Sequence, residues 1–284
     1  MFKQFLLITA LLIPLSLNAY DSLSQPIKEA HHPQKYNIVS DLPPVYISQK
    51  TESIGATWQN GNVWDKPLIE LFYSLLTKKS DFFVVLDIGA QTGCFTLLSK
   101  YFPNSQWYAF EPIEEAAKEL QINLFLNDIK NTSVYQLGMS SQPETKYLNL
   151  PLDTHWGLAT LGENPLRFNQ YESRKVELTC IDNFLFENEI NKVELTCIDN
   201  FLFENEINQV DFIKIDTEGW ELFVLQGAEK TIAEYRPIIL MEMNEKNIKQ
   251  CNIRKEDLFT FLKKYDYSWK YVTREDILCT PNDR

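Results

Sequence analysis

The sequence predicts an α/β fold, a mostly parallel, doubly wound sheet with helices on both faces. Three observations predict it. Apolar, β-favouring runs alternate with amphipathic helical stretches along most of the chain. The first such run, Phe82–Ile88, is continuous, as a parallel strand buried on both faces requires, and ends in a glycine-bearing turn, Gly89–Gly93, that feeds a helix. Acidic residues then stand at the carboxyl ends of successive strands, the edge where open α/β sheets bind ligands.

From the amino end, residues 1–19 read MFKQFLLITALLIPLSLNA: Lys3 is the one charge, Phe5 to Leu17 is an apolar stretch of 13 residues, and Ala19 is small enough for a cleavage position. That is the layout of a secretory signal peptide, and it is shorter than the ~20 residues of a membrane span. Leu17 is bulky where a small residue is preferred, so an uncleaved membrane anchor stays open beside cleavage. Either way the chain is expected to leave the cytosol, as a periplasmic or secreted protein. Residues 20–50 hold Pro26, Pro33, Pro43 and Pro44 without periodicity and read as a linker or a surface strap. His31 and His32 fall in it and read as solvated. Residues 51–284 read as one domain.

Within that domain, apolar residues recur at helical spacing from Trp64 to Lys79. After the strand Phe82–Ile88 come a helix opening over Phe95–Tyr101, a strand over Gln106–Phe110, an amphipathic helix over Ile113–Asn127 and a strand over Ser133–Leu137. Residues 139–174 fit the rhythm poorly and read as short irregular elements near the substrate. The pattern resumes with a strand over Val210–Ile215, a helix over Trp220–Ile232 and a strand over Pro237–Met241. A helix over Glu256–Lys264 and strands near Trp269–Val272 and Ile277–Cys279 close the domain.

One segment interrupts the progression. Lys175–Asn191 reads KVELTCIDNFLFENEIN, and Lys192–Asn208 repeats the same 17 residues. Two copies do not make a solenoid. The second copy joins the strand at Val210 directly and is expected to hold the native position, with the other looped out or added at the edge of the fold; lengthening a surface loop costs only ~1 kcal/mol per few-fold increase.

Composition bounds the partners. Aromatic residues make up 13% and apolar residues 44%, enough to pack a core and argue against wholesale disorder. The net charge of −12 argues against nucleic acid, whose binding depends on cationic side chains displacing counterions. A small cationic ligand fits it. The five cysteines lie in no metal-ligand spacing and read as free or buried thiols, and with three histidines no metal site is expected.

Three motifs carry the chemistry. In DIGAQTG, Asp87–Gly93, the turn is expected to offer backbone N–H groups to a ligand, with Gly89, Ala90 and Gly93 approaching it closely. Asp87 stands where a dinucleotide-binding turn has its first glycine; its carboxylate would repel a pyrophosphate but suits an ammonium or sulfonium group. In WYAFEP, Glu111 follows Gly89 by 22 residues, at a strand end where an acid can accept both ribose hydroxyls. In VDFIKIDTEGWELFVLQGA, Lys214 interrupts a buried strand and must pair with a carboxylate, while Asp216, Glu218 and Glu221 cluster at its carboxyl end. A structural ion pair and a helix start decorated with acids would also account for that cluster.

Together with RPIILME, these motifs resemble the FkbM family of methyltransferases over roughly Trp64 to Cys279. The resemblance implies a Rossmann-like class I methyltransferase fold, S-adenosyl-L-methionine as cofactor, held by Asp87, Gly89, Ala90, Gly93 and Glu111, and O-methylation of a hydroxyl on a sugar or other small-molecule or glycan acceptor. A hydroxyl is a poor nucleophile and needs a base. Asp216 is the first candidate, His155 the second, and Glu242 at the end of the next strand is a candidate for orienting the acceptor. The export signal and the duplication depart from the family pattern. Because the methyl donor is made in the cytosol, an exported non-catalytic binding protein on the same scaffold is the alternative. A nicotinamide-dependent oxidoreductase would share the fold, but Asp87 argues against it and no hydride-transfer constellation is recognisable. The membrane enters only through the N-terminal segment.

Overall fold

The computed structural model describes residues 34–48, 63, 65–142, 144–151, 159–161, 171–179 and 209–282. The expectations for the N-terminal signal, for Trp64, for His155 and for nearly all of the duplicated segment fall outside those residues.

The described chain begins with a hairpin, β1 (Gln34–Tyr36) paired antiparallel with β2 (Val45–Ile47). Tyr36, Ile38, Val39, Val45 and Ile47 are buried, so this part of the strap belongs to the core. Helix α1 (Lys66–Leu76) starts after Asp65, with Pro67 in its first turn, where no N–H partner is needed. It buries Leu68, Ile69, Phe72, Leu75 and Leu76, one stripe at helical spacing.

Next come β3 (Phe83–Ile88), a 3-10 helix (Thr96–Tyr101), β4 (Ser105–Phe110), α2 (Glu114–Leu126), β5 (Thr132–Tyr135), β6 (Gly138–Met139), β7 (Glu144–Pro151) and β8 (Tyr171–Thr179). Then follow β9 (Phe212–Ile215), α3 (Glu221–Gln226), α4 (Glu229–Tyr235), β10 (Ile238–Glu242), α5 (Glu245–Gln250), α6 (Lys255–Lys264), β11 (Tyr267–Tyr271) and β12 (Asp276–Pro281).

Seven strands form the central sheet in the order β11-β12-β10-β9-β3-β4-β5. The pairs from β10 through β5 are parallel, and β12 runs antiparallel to both neighbours. Chain order reverses between β3 and β9, the switch point of the sheet. Alternate strand residues feed two cores. Phe83, Val85, Phe212, Leu240 and Leu278 face α1, α2 and the hairpin. Leu86, Ile88, Ile213, Ile215, Ile239 and Met241 face α3, α4 and α6. The expected architecture is therefore present, with helices on both faces of a mostly parallel sheet.

Two stretches differ from the sequence reading. The helix expected over Trp220–Ile232 is two short helices that break at Gly227–Ala228. Residues 139–174, read as irregular, contribute most of a second sheet of order β6-β8-β7, in which β7 and β8 pair antiparallel over eight positions. Leu148 and Leu150 are buried against Ile113 and Ala116, which gives this sheet a small core of its own. The first copy of the repeat, expected to be looped out or added at the edge, instead supplies Lys175–Thr179 to β8, because the strand runs on from Tyr171 without interruption. Among the described residues no helix is long and apolar enough to cross a membrane.

Candidate active site

The glycine turn follows β3, and β4 runs beside it with Ile88 opposite Phe110. Gly89 and Ala90 both donate their N–H groups to the Phe110 carbonyl at 3.0 Å, and Gly93 donates to Ala90 at 2.9 Å. Glu111 turns back over this loop: Oε2 accepts from Gln91 N at 2.8 Å and Oε1 from Ile113 N at 2.9 Å. The sequence reading expected the turn to offer its N–H groups to a ligand; those of Gly89, Ala90, Gln91 and Gly93 are instead taken up by the protein. Without those donors the loop is a poor cradle for a pyrophosphate.

The glycines are also required by packing inside the protein. A Cβ on Gly89 would lie 1.8 Å from the carbonyl oxygen of Asp216, and φ is +79° there; one on Gly93 would lie 2.5 Å from Leu120 Cδ1. The missing Cβ of Gly89 thus lets the ends of β3 and β9 close on each other.

Asp87 is buried. Its Oδ2 accepts from Thr96 Oγ1 at 2.6 Å, and its Oδ1 has no hydrogen-bond partner among the described residues. Lys214, opposite it in the β3–β9 register, brings its Nζ to 3.9 Å from Asp87 Oδ1 and 3.4 Å from Asp216 Oδ2. The buried lysine has the carboxylate partners its burial demands, and it lies 5.0 Å over the Phe95 ring. Burial alone would depress the Lys214 ammonium; Asp216 and Asp87 outweigh it and bring the group up to about 12. Burial raises the Asp87 carboxyl despite the opposing Lys214 charge, and pushes Glu111 up to about 7 despite its two backbone donors.

Beyond the switch point lies a second group of acids. Asp216 follows β9, donates its N–H to the Ile88 carbonyl at 3.0 Å, and keeps its side chain 39% exposed. Thr217–Gly219 makes a tight turn with positive φ at Glu218 and Gly219. Glu221 folds this turn: its Oε1 accepts from Thr217 N, Thr217 Oγ1 and Gly219 N, each at 3.1 Å. That gives Glu221 a structural role. Glu242 ends β10, and Asn247 Nδ2 donates to Glu218 Oε2 at 2.5 Å and to Glu242 Oε2 at 3.3 Å. One carboxylate oxygen from each of Asp216, Glu218 and Glu242 can be chosen so that all three lie within 4.8 Å of one another. Burial, and then the negative charges of Asp216, Glu218 and Glu221, hold the Glu242 carboxyl well above the ordinary carboxylate range.

Of the residues the sequence singled out, Asp87, Gly89, Ala90, Gly93, Glu111, Asp216 and Glu242 therefore lie along one carboxyl edge, on the adjacent strands β4, β3, β9 and β10. The smaller sheet reaches this edge. Thr160 Oγ1 donates to the Glu218 carbonyl at 3.0 Å, Trp220 Nε1 donates to Ser140 Oγ at 3.1 Å, and Lys146 Nζ lies 4.6 Å over the Trp220 ring. Sequence reasoning missed Asn247. The available signal was Asn244, whose side chain caps α5 by accepting from Lys246 N and Asn247 N.

A family model described as Methyltransferase FkbM domain matches residues 87–269. No curated protein matches the chain. Among solved structures, the chain is similar to the methyltransferase FkbM of Methylobacillus flagellatus KT, with 18% identity and a TM-score of 0.41, over 70% of this chain and 44% of that one. It thus spans less than half the length of that protein. It is similar to a Streptococcus mutans protein solved in complex with SAH, with 11% identity and a TM-score of 0.40, over 75% of this chain and 96% of that one. It is also similar to a SAM-dependent O-methyltransferase of Thermotoga maritima, with 10% identity and a TM-score of 0.40, over 87% of this chain and 77% of that one.

Proposed function

The chain belongs to the FkbM methyltransferase family, and from that premise we propose that it transfers a methyl group from S-adenosylmethionine to a hydroxyl of a sugar or other small or glycan acceptor. The observation that carries this reading is the row of acids on four adjacent strand ends, two on either side of the switch point. The residues fit a cationic donor. Asp87 Oδ1 is a buried acceptor with no hydrogen-bond donor among the described residues, and the loop beside it has spent the N–H groups named above inside the protein.

S-adenosylmethionine, when bound, supplies a methyl group already activated on a cationic sulfur. The chain's own residues do the rest. Asp87 would hold the donor's amino group, and Glu111 would accept from its ribose hydroxyls. Lys214 fixes Asp87 and Asp216 relative to each other across β3 and β9. Asp216, part exposed at the edge, would take the proton of the acceptor hydroxyl as that hydroxyl is methylated. Glu242, held protonated, orients the acceptor as a hydrogen-bond donor.

Export through the N-terminal segment is part of the proposal, supported by the layout of residues 1–19. Fractionation of a C-terminally tagged protein tests it, and recovery wholly in the cytosol rejects it.

Calorimetry with S-adenosylhomocysteine tests the site. Asp87→Ala and Glu111→Ala are expected to weaken binding by ~10-fold or more, the scale of a lost charge-assisted hydrogen bond. Asp216→Ala is expected to keep that affinity and lower turnover by ~10²–10⁴. Unchanged affinity in both of the first two variants, or stabilisation of the native chain by NAD alone, overturns the reading.

A further inference from the structure

We propose that Asp216, Glu218 and Glu242 form a binding site for a hard divalent cation, with the side-chain oxygen of Asn247 as a fourth ligand. The geometry of the three carboxylates suits an ion: a point equidistant from three atoms spaced at the 4.8 Å limit lies about 2.8 Å from each, close to the ~2.3–2.6 Å of calcium–oxygen bonds. A slight contraction reaches calcium, and a larger one magnesium or manganese. All the donors are oxygens, the ligand type those ions select.

Carboxylates alone do not make a site, and two buried oxygens on residues packed against them lack a hydrogen-bond donor among the described residues. Asn247 is 1% exposed, its amide nitrogen lies against both Glu218 and Glu242, and its Oδ1 is buried without a hydrogen-bond partner among the described residues. A half-turn of the amide exchanges its nearly isosteric oxygen and nitrogen and offers the oxygen to an ion between the carboxylates. Glu221 is equally buried; its Oε1 is used three times by the turn that carries Glu218, and its Oε2 has no partner among the described residues. Lys214 does not neutralise the group by itself, because it is shared between Asp216 and the buried Asp87. The Asn247 backbone is held in place, packed against Gly219, where an added Cβ would lie 2.4 Å from the Asn247 carbonyl oxygen.

This site goes beyond the methyl-transfer reading but shares Asp216 and Glu242 with it. Where both hold, the cation takes the place of the proton on Glu242 and, bound to Asp216, makes a neighbouring acceptor hydroxyl more acidic.

The test is a calorimetric titration of the chelator-treated full chain with calcium, magnesium and manganese, alongside thermal melts in millimolar amounts of each. Saturable one-to-one binding of at least one ion, with a Tm rise of several degrees, is expected. The double variant Glu218→Gln and Glu242→Gln, which keeps shape and relieves repulsion, is expected to bind roughly tenfold or more weakly and to keep its S-adenosylhomocysteine affinity. The proposal is overturned if no ion gives saturable heat or a Tm shift with the native chain. It is also overturned if the double variant binds as tightly, since ions would then be gathering on the chain's overall negative charge. Cation binding without S-adenosylhomocysteine binding would remove the methyl-transfer reading and leave the cation site standing.

Discussion

The corner formed by β3 and β4 and the rim formed by β9 and β10 are both built from buried or half-buried acids, yet they handle charge in opposite ways. In the corner, both oxygens of Glu111 accept from backbone N–H groups, and Asp87 has Thr96 on one oxygen and Lys214 facing the other. In the rim, Asp216, Glu218 and Glu242 crowd together, and the amide of Asn247 is the donor set between two of them. The corner is finished by the fold except at Asp87 Oδ1, so a ligand there completes a nearly settled arrangement. The rim is left with excess negative charge, which a proton on Glu242 or a cation must relieve. Donor binding and acceptor activation are therefore expected to respond differently to pH, metal and mutation.

Gly89→Ala should break both regions at once and have the largest effect. The new Cβ meets backbone at 1.8 Å in a left-handed conformation, and a loss of about 2–5 kcal/mol is expected. Denaturant midpoints measure it. Gly93→Ala, which meets the movable end of Leu120 at 2.5 Å, should cost less. Equal losses in the two variants would mean that strand closure at the switch point is not what Gly89 provides.

A pH series separates the corner from the rim. Glu111 titrates near 7 when folded and near 4.5 when unfolded, because burial disfavours its charged form. Between those values the folded chain holds a proton the unfolded chain has released. The associated stability is fully present below the unfolded value and is lost as pH rises through the folded one, by about 3 kcal/mol at most. Asp87, Glu221 and Glu242 are shifted the same way, so the native chain should lose stability as pH rises from about 4.5 through about 7. Glu111→Gln should flatten part of that slope. A variant with the same slope as the native chain removes Glu111 as a contributor.

The smallest effect is expected from the repeat. Deleting Lys175–Asn191 should leave the melting temperature unchanged or slightly higher, since Lys192–Thr196 spell again the residues it takes from β8 and only the connection shortens. Failure of the shortened chain to fold would show that both copies are needed.

The corner was far more legible in the sequence than the rim. Phe82–Ile88 reads as a buried strand because it is apolar throughout, and Asp87, Gly89, Gly93 and Glu111 follow at spacings that the parallel register preserves. The internal use of the turn's N–H groups was not legible, because it depends on the Phe110 carbonyl of the neighbouring strand. Asp216 and Glu242 were found at their strand ends. Their crowding was not, since it depends on Glu218 turning through a left-handed backbone and on Asn247 in a helix of six residues, too short to show a period. The smaller sheet was missed because Leu148 and Leu150 alternate among polar neighbours, with Tyr147 64% exposed, and their partners lie in β8 and α2.

Because β8 ends in the first five residues of a segment that is then spelled again in full, excising either copy gives one and the same polypeptide, with Tyr171–Thr179 and Gln209–Asn282 unaltered. A single recombination between the two stretches of gene would restore it. The longer and shorter forms are thus neighbours in inheritance that share every described strand and helix, and selection between them would act on the connecting length alone.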